Sequence, residues 1–289
     1  MGMQEILIII VLSLALSAIS GLVLRALYEP HQLRCTQVVL GRSTDEDCPG
    51  LRIAFFSDLH GSMCKVSDTD LLHTIFSKKI DVILFGGDVG NKYKSSENTI
   101  GLRRLSAISE MAQKKGIPCY AVRGNHDRQI TREDFSQSGF LLLVNENIRM
   151  TDVSGNVYLL MGADDLGNKP RIWPCLSDTF CGEIPEERRI VLVHNPDFVA
   201  TTQSVPYSYV LSGHFHGGQI YMPFHLEFRI LRTEKLPREG ITRGEYSRKG
   251  VLGYISRGIG CVVFPLRLLS TPEITYITIP SDSSRKEKT

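Results

Sequence analysis

Short apolar strands that end in polar side chains restrict the fold of this 289-residue chain more than any other feature. In the first half, three such strands alternate with two segments whose apolar residues recur at helical spacing. The strands cover residues 51–56, 81–85 and 117–123, and the helical segments cover residues 67–79 and 99–115. Each strand is apolar almost throughout, which is typical of strands buried on both faces of a parallel sheet. The alternation predicts βαβ units and an α/β fold.

The second half of the chain has a different pattern, in which short β runs follow one another. These runs predict a second sheet packed against the first. They cover residues 140–144, 157–161, 189–193, 207–211, 252–255 and 274–279.

Four segments describe the expected organisation of the chain. Residues 1–25 are the expected membrane anchor, and residues 26–50 form a tether with a short strand around residues 38–40. The folded domain is expected to span residues 51–280. The polar residues 281–289 form a tail that is expected to be disordered.

Polar side chains follow five of the strands at the point where each strand ends. Because open α/β sheets bind ligands at the carboxyl ends of their strands, we expect these side chains to lie close together. Each cluster alone also occurs as ordinary turn, cap or strand chemistry. The succession of five, each after an apolar strand, favours a single site. The clusters are Asp58 with His60, Asp88, Asn125 with His126 and Asp127, His194, and His214 with His216.

Carboxylates and imidazoles are the residue types that hold divalent metals such as Mn²⁺, Fe or Zn²⁺. Five of the eight histidines lie in these clusters. The seven cysteines are widely spaced and form no CxxC pair, so neither a disulfide framework nor a thiolate zinc site is indicated. We expect free thiols, as in a reducing compartment. The composition therefore favours a metal site built from oxygen and nitrogen ligands.

Taken together, the clusters resemble the complete signature of the calcineurin-like metallophosphoesterases. The resemblance covers about residues 51–280, and the stretches 217–220, 255–260 and 272–274 are similar to the membrane-associated bacterial branch of that superfamily. It implies hydrolysis of phosphoesters by a two-sheet αββα sandwich, here preceded by a transmembrane helix. The signature is carried by Asp58-x-His60, Gly87-Asp88, Gly124-Asn125-His126-Asp127, His194 and Gly213-His214-x-His216.

The resemblance implies two divalent metal ions, about 3.5 to 4 Å apart, that share one ligand and clamp a phosphoester between them. Asp88 is the implied shared ligand. Mn²⁺ is the metal that we expect, with Zn²⁺ or Fe as alternatives. The first ion would take Asp58, His60, Asp88 and His216, and the second would take Asp88, Asn125, His194 and His214.

Two further residues of the signature are implied to act on the substrate. His126 is expected to stabilise charge on the phosphoryl oxygens or to protonate the leaving group, and Asp127 is expected to orient it. Arg123 and Arg257 lie next to the motif loops, and we predict that they contact substrate phosphate.

The amino-terminal run from Ile6 to Leu24 contains no charged residue and has about the length that crosses the hydrocarbon core of a bilayer. We interpret it as a single membrane anchor. A cleaved signal peptide is the main alternative, and a buried core helix is another. Because Arg25, Arg34 and Arg42 follow the run, the positive-inside rule predicts a cytoplasmic catalytic domain at a bacterial inner membrane.

The motifs restrict the substrate less than they restrict the chemistry. An enzyme held at a membrane is suited to a lipid-linked nucleotide or another lipid-bearing phosphoester. Residues 221–250 mix basic and aromatic side chains, which suits a phosphate on a lipid but equally suits an ordinary solvated surface. Within the branch, the chain resembles the UDP-2,3-diacylglucosamine pyrophosphatases of lipid A synthesis, which release UMP and 2,3-diacylglucosamine 1-phosphate.

Other classes of function are also open. A phosphodiesterase or phosphatase of broader specificity is the main alternative. A metal-free binding scaffold is disfavoured because every ligand position is filled. A nucleic-acid partner is not expected, because 33 basic and 31 acidic residues give a net charge of only +2. Nothing in the sequence indicates an oligomeric state.

Overall fold

The computed structural model describes residues 2–41, 50–91, 94–167, 173–201 and 203–281. Its helices are α1 (Met3–Tyr28), α2 (Asp68–Ile75), α3 (Ser95–Gln113), α4 (Arg132–Gln137), α5 (Leu226–Leu231) and α6 (Lys235–Arg238). Its strands are β1 (Arg34–Val39), β2 (Leu51–Phe56), β3 (Val82–Phe85), β4 (Cys119–Ala121), β5 (Leu141–Leu142), β6 (Glu146–Thr151), β7 (Val157–Ala163), β8 (Arg189–Val193), β9 (Tyr209–Ser212), β10 (Gly244–Arg248), β11 (Val251–Ile255) and β12 (Glu273–Ile279).

Two six-stranded mixed sheets form the body of the protein. The first has the strand order β1-β12-β2-β3-β4-β5, and the second has the order β10-β11-β9-β8-β7-β6. Strands β2 to β5 run parallel to one another, as do β7, β8, β9 and β11. Strands β12, β6 and β10 pair antiparallel with β2, β7 and β11. This arrangement confirms the α/β sandwich of two sheets that the sequence predicts.

Alternate residues of the central strands pack on opposite faces of their sheet. In β2, Ile53 and Phe55 face the layer between the two sheets, whereas Ala54 and Phe56 belong to the cluster that α2 and α3 cover. Strand β8 divides its apolar residues in the same way between the central layer and the outer face of the second sheet. Both strands are therefore buried on two faces, which explains their continuous apolar runs. Truncation of a core phenylalanine such as Phe55 to alanine costs about 3–5 kcal/mol.

Helix α1 is not part of either core. Among the described residues, the helical stretch Met3–His31 contains an 18-residue window with a mean hydropathy of 2.8, and none of that window is buried. Its length and composition allow it to cross a membrane, although a signal sequence has the same character. The described part of the chain therefore contains one candidate membrane span, ahead of the two sheets.

Several details of the sequence prediction differ from the structure. Residues 140–144 and 274–279 were expected in the second sheet, and this is wrong: β5 and β12 belong to the first sheet. Strands β6 and β10 were not predicted, because their alternating polar residues suit edge positions and lack an apolar run. In residues 221–250 the structure forms α5 and α6 before β10. Most of the predicted tail lies outside the described residues, as does part of the tether.

Candidate metal centre

The predicted ligands meet at the carboxyl ends of strands from both sheets. Asp58 follows β2, Asp88 follows β3, and Asn125 follows β4 in the first sheet. His194 comes directly after β8, and His214 comes two residues after β9 in the second sheet. Parallel pairing within each sheet places these ends at a common edge. The site therefore spans the two sheets at one end of the sandwich.

Five of the thirteen described non-glycine residues with positive φ are predicted metal ligands. Left-handed backbone costs an L-residue about 1–3 kcal/mol, and such strain concentrates at functional sites. Backbone hydrogen bonds hold two of the loops together, from Asp58 N to Gly87 O at 2.8 Å and from His60 N to Asp88 O at 3.1 Å. The five residues and their φ angles are Asp58 (58°), His60 (50°), Asp88 (61°), His214 (72°) and His216 (53°).

A first group of ligands contains Asp58, His60 and His216, all buried. His216 Nε2 lies 3.2 Å from Asp58 Oδ1 and 3.1 Å from His60 Nε2. His60 Nε2 is also 3.5 Å from Asp88 Oδ2. These atoms form one compact set of nitrogen and oxygen donors.

A second group contains Asp88, His194 and His214. His194 Nε2 lies 3.1 Å from Asp88 Oδ2 and 3.1 Å from His214 Nδ1. The same oxygen of Asp88 therefore faces His60 of the first group and His194 of the second. Asn125 Oδ1 is buried and has no hydrogen-bond partner among the described residues, which leaves it available as a further ligand.

The imidazoles are oriented by hydrogen bonds through the nitrogen that points away from the centre. His194 Nδ1 lies 2.8 Å from the carbonyl oxygen of Gly86, and His214 Nε2 lies 3.2 Å from Glu234 Oε1. Because these oxygens are acceptors, the nitrogens facing them carry the protons in the neutral rings. His194 Nε2 and His214 Nδ1 then direct lone pairs at each other over 3.1 Å. This pair is repulsive when both rings are neutral, and either a proton on His194 or a metal cation beside both nitrogens removes the repulsion, so the residues present fit divalent metal ions.

Burial and charge set the protonation of these groups in the metal-free chain. Burial lowers the pKa of His60 to about 3 and that of His214 to about 4, so both rings are neutral. Burial also acts against His194, but the Asp88 carboxylate beside it raises its pKa to about 10. Burial would raise the pKa of Asp58 and Asp88, yet His216 and His194 hold both well below the usual carboxylate range. The centre therefore presents ionised carboxylates to a cation.

The carboxylate of Asp127 is fully buried and is hydrogen-bonded through both oxygens to backbone amides. It accepts from Asp88 N at 2.7 Å, from Val89 N at 2.8 Å and from Gly124 N at 2.9 Å. Burial, with the charge of Asp88, raises the pKa of Asp127 to about 7. These contacts hold the Asp88 loop against the Gly124 loop, and orientation of His126 by Asp127 stays a prediction.

His126 lies at the centre, although its part in catalysis stays a prediction. It could share a cation with His60 and Asp88, and its ring is 4.9 Å from that of His60, edge to face. Its backbone N–H donates to Asp88 Oδ1 at 2.8 Å. The side chain is thus placed beside the first group of ligands.

The two arginines predicted to contact phosphate are paired with carboxylates in the structure. Arg123 donates from Nε and Nη2 to Asp164 at 2.9 and 2.7 Å, a bidentate pair. Arg257 Nε lies 3.5 Å from Glu273 Oε2, a residue that is 1% exposed. Pairing with Asp164 explains the ordered position of Arg123 without a substrate.

Sequence reasoning missed the residues that support the ligands from behind. Glu234 holds His214, and Arg232 donates to Glu234 at 3.2 Å and to the carbonyl oxygen of His214 at 3.1 Å. The fully buried Arg267 donates to the carbonyl oxygen of Ser270 at 2.7 Å, and Ser270 Oγ donates to that of His216 at 2.6 Å. Glu234 and Arg232 lie in the basic and aromatic stretch 221–250, which was the one available signal.

Comparison with known proteins agrees with this geometry. Residues 51–218 match the family model described as calcineurin-like phosphoesterase. An uncharacterized metallophosphoesterase of Bacillus subtilis, YkoQ, is 31% identical, and the alignment covers 78% of this chain and 82% of that protein. The phosphodiesterase YaeI of Escherichia coli is 28% identical over 79% of this chain and 82% of its own length.

One further relative has a named substrate. It is the UDP-2,3-diacylglucosamine hydrolase of Yersinia pseudotuberculosis, which is 28% identical, but the alignment covers only 49% of this chain and 55% of the relative. The family match extends over more than half of the chain and includes all of the strand-end clusters. The chain therefore belongs to the calcineurin-like phosphoesterases.

Proposed function

We propose that this protein is a two-metal phosphoesterase that acts at a membrane surface on a lipid-linked phosphodiester or pyrophosphate. The observation that carries the proposal is the position of Asp88, one oxygen of which faces both groups of ligands. A carboxylate between two imidazole-rich groups is the arrangement that a pair of divalent ions requires. We propose Mn²⁺ for both positions, with Zn²⁺ or Fe as alternatives.

The ligand assignment that we propose follows the two groups. Divalent ions bound there supply Lewis acidity and lower the pKa of water, which is the chemistry that phosphoester hydrolysis needs. Asp127 fixes the backbone of the Asp88 loop, so that the shared carboxylate keeps its direction. The ligands are Asp58, His60, Asp88 and His216 for one ion, and Asp88, Asn125, His194 and His214 for the other.

His126 is the proposed proton donor to the leaving group. Its backbone N–H is fixed on Asp88 Oδ1 while its ring stands beside His60, at the side of the ligand cluster. An imidazole held there can move a proton to an ester oxygen bound at the centre. Arg123 and Arg257 are the proposed phosphate contacts, and Arg257 is the less tightly paired of the two, because its partner Glu273 lies at 3.5 Å.

The membrane part of the proposal rests on α1. We propose that residues 1–25 anchor the chain in a bacterial inner membrane and that residues 26–50 connect the anchor to a cytoplasmic catalytic domain of residues 51–280. The exposed apolar surface of α1 supports the membrane span. The arginines that follow it support the cytoplasmic orientation of the catalytic domain. The acyl chains of a lipid-bearing substrate then lie in the same membrane as the anchor of the enzyme.

Two substrates need to be distinguished. Similarity to a UDP-2,3-diacylglucosamine hydrolase supports cleavage of that pyrophosphate to UMP and 2,3-diacylglucosamine 1-phosphate, the lipid A reaction, but over half of the chain only. Similarity to a phosphodiesterase covers four fifths of the chain and supports a broader phosphodiesterase. We place UDP-2,3-diacylglucosamine first because it combines a pyrophosphate with acyl chains, which suits an anchored enzyme.

The experiment is hydrolysis of UDP-2,3-diacylglucosamine in detergent micelles by the Mn²⁺-loaded full-length chain. A small chromogenic phosphodiester is assayed in parallel, and Asp88→Ala is the control variant. Rapid release of UMP with poor cleavage of the small diester supports the lipid A reaction. Cleavage of the small diester alone supports the broader phosphodiesterase, and no metal-dependent cleavage of either substrate contradicts the proposed chemistry.

A further inference from the structure

Exposed apolar side chains outside α1 are concentrated in two short segments. Among the described residues after α1, eleven large hydrophobic side chains are exposed, and seven of them lie on these segments. The remaining four occur singly on separate elements, as is normal for a soluble surface. We call the seven residues the apolar collar: Met222, Phe224, Leu226 and Ile230 on one segment, and Val263, Phe264 and Leu269 on the other.

The two segments of the collar are hydrogen-bonded to each other. Tyr221 N donates to the carbonyl oxygen of Leu268 at 2.9 Å. The side-chain amide of Gln219 donates to the carbonyl oxygens of Val262 and Phe264 at 3.0 and 3.2 Å. The collar is therefore one surface, although its parts are about forty residues apart in the chain.

The collar also adjoins the end of α1. Arg267 N donates to the carbonyl oxygen of Ala26 at 3.0 Å, and Leu269 N donates to Glu29 Oε2 at 2.9 Å. Glu29 itself is only 2% exposed. The apolar helix thus leaves the domain beside Arg267 and Leu269, so the collar adjoins the end of α1.

Three of the seven collar residues combine a strained backbone with an exposed side chain. Phe224, Val263 and Leu269 have φ angles of 60°, 66° and 55°. Positive φ is a marked outlier for a β-branched residue such as Val263, which is nevertheless 77% exposed. Exposed apolar residues with a strained backbone indicate a surface that contacts a partner or a membrane when the protein functions.

The metal centre lies directly behind the collar. Only Gly217 and Gly218 separate His216 from Gln219, the residue that joins the two collar segments. From the other segment, Ser270 Oγ donates to the carbonyl oxygen of His216 at 2.6 Å. A molecule held at the collar is therefore close to a predicted metal ligand.

We propose that the apolar collar inserts into the interface of the lipid bilayer around the base of α1, so that a lipid-linked phosphoester reaches the metal centre with its acyl chains still in the membrane. This inference rests on the proposed membrane function and deepens it. The collar contacts lipid in this proposal because α1, as a membrane span, is surrounded by lipid along its length. The collar is the surface of the domain next to the end of α1. The exposed Arg229 supplies positive charge for anionic headgroups nearby, whereas the charge of Arg25 is paired with Glu29 at 3.4 Å.

Tryptophan fluorescence of the full-length chain in bilayer nanodiscs tests the proposal. Phe264→Trp and Phe224→Trp each place an indole in one segment of the collar. Val153→Trp is the matched control, because Val153 is 70% exposed in the turn before β7, at the end of the sheet opposite the metal centre. The native chain, with Trp173 as its single tryptophan, supplies the baseline.

Nanodiscs of phospholipids brominated in the upper acyl chain should quench both collar tryptophans by about twofold or more, since interfacial side chains reach roughly 5–10 Å into the bilayer. Val153→Trp should stay at the baseline. Quenching at either collar position no greater than at Val153 would overturn the proposal, as would burial of the collar tryptophans that depends on protein concentration, which indicates a second copy of the chain. The readout uses no substrate, so a failed assay for lipid hydrolysis leaves it unaffected.

Discussion

The carboxylate of Glu29 accepts a hydrogen bond from the backbone N–H of Ser270 at 2.7 Å, and this contact joins the apolar helix to the metal centre. Glu29 also accepts from Leu269 N at 2.9 Å and from Thr271 Oγ1 at 3.0 Å. On its other side, Ser270 holds the carbonyl oxygen of His216. One buried carboxylate thus links α1 to the loop that supports a predicted ligand.

Replacement of this carboxylate should destabilise the whole chain. Glu29→Ala leaves buried donors unpaired, and each costs about 1–3 kcal/mol, so we expect a loss of roughly 2–4 kcal/mol. For a domain of this size that loss lowers the melting temperature by about 5–10 °C. Thermal unfolding of the full-length chain in detergent measures it. Glu110→Ala, an exposed residue of α3, is the control and should melt with the native chain. Equal melting temperatures for the two variants would contradict a structural role for Glu29.

The contact between His214 and Glu234 predicts that two substitutions of Glu234 weaken metal binding to different degrees. A carboxylate that accepts from a ligand imidazole fixes its ring and raises its basicity, and its removal typically weakens metal binding about 10–100-fold. We expect Glu234→Ala to show this loss, with the metal content falling from two ions towards one. Glu234→Gln keeps an acceptor for His214 Nε2 and should recover much of the affinity. Isothermal titration of Mn²⁺ into the chelated protein, with metal analysis after dialysis, measures both quantities.

The exposed Glu245 of β10 provides the matched control for this comparison. Glu245→Ala should bind metal as the native chain does. If Glu234→Ala also keeps native affinity, then Glu234 belongs to the surface of the 221–250 stretch and does not position His214.

His194 gives the metal-free protein a specific pH dependence. The Asp88 carboxylate outweighs burial and raises the pKa of His194 to about 10, from an ordinary 6.5. A group whose pKa is raised on folding adds stability that is complete below pH 6.5 and is lost as the pH approaches 10. The melting temperature of the chelated protein should therefore fall from pH 6.5 to pH 9. The Mn²⁺-loaded protein should show a smaller decrease, because the cation replaces the proton, and equal slopes would contradict this account.

The clusters of the site were predictable because each follows its own strand within a few residues, so a local pattern contains the information. Contacts between distant parts of the chain leave no such pattern. Glu234 is 20 residues from His214, and Glu29 is 241 residues from Ser270, so neither could be found from spacing. The two strands assigned to the wrong sheet illustrate the same limit. An apolar run shows that β12 is buried, but its pairing with β2 depends on how the chain crosses between the sheets.

Arg123 and Asp127 show a second limit, which concerns partners. Position next to a motif loop predicts that Arg123 binds phosphate, and the structure adds that its guanidinium is paired with Asp164. Proximity in sequence predicts that Asp127 orients His126, and the structure adds that both of its oxygens accept from backbone amides. In each case the sequence predicts a role at the site, and the structure adds contacts that the sequence does not show.

The predicted roles of His126 and Asp88 can be distinguished by measuring both metal content and turnover of two variants. His126→Ala removes the imidazole but keeps the backbone N–H that donates to Asp88, so the ligand groups should retain their geometry and bind both metal ions. Loss of a general acid lowers kcat by about 10²–10⁴-fold. We expect that decrease for a phosphodiester with a poor leaving group, and a smaller one for a nitrophenyl ester, whose leaving group needs little protonation. Asp88→Ala should instead lose metal and turnover together. If His126→Ala also loses metal, then His126 is a ligand in the group with His60 and Asp88, and the proton must come from another residue.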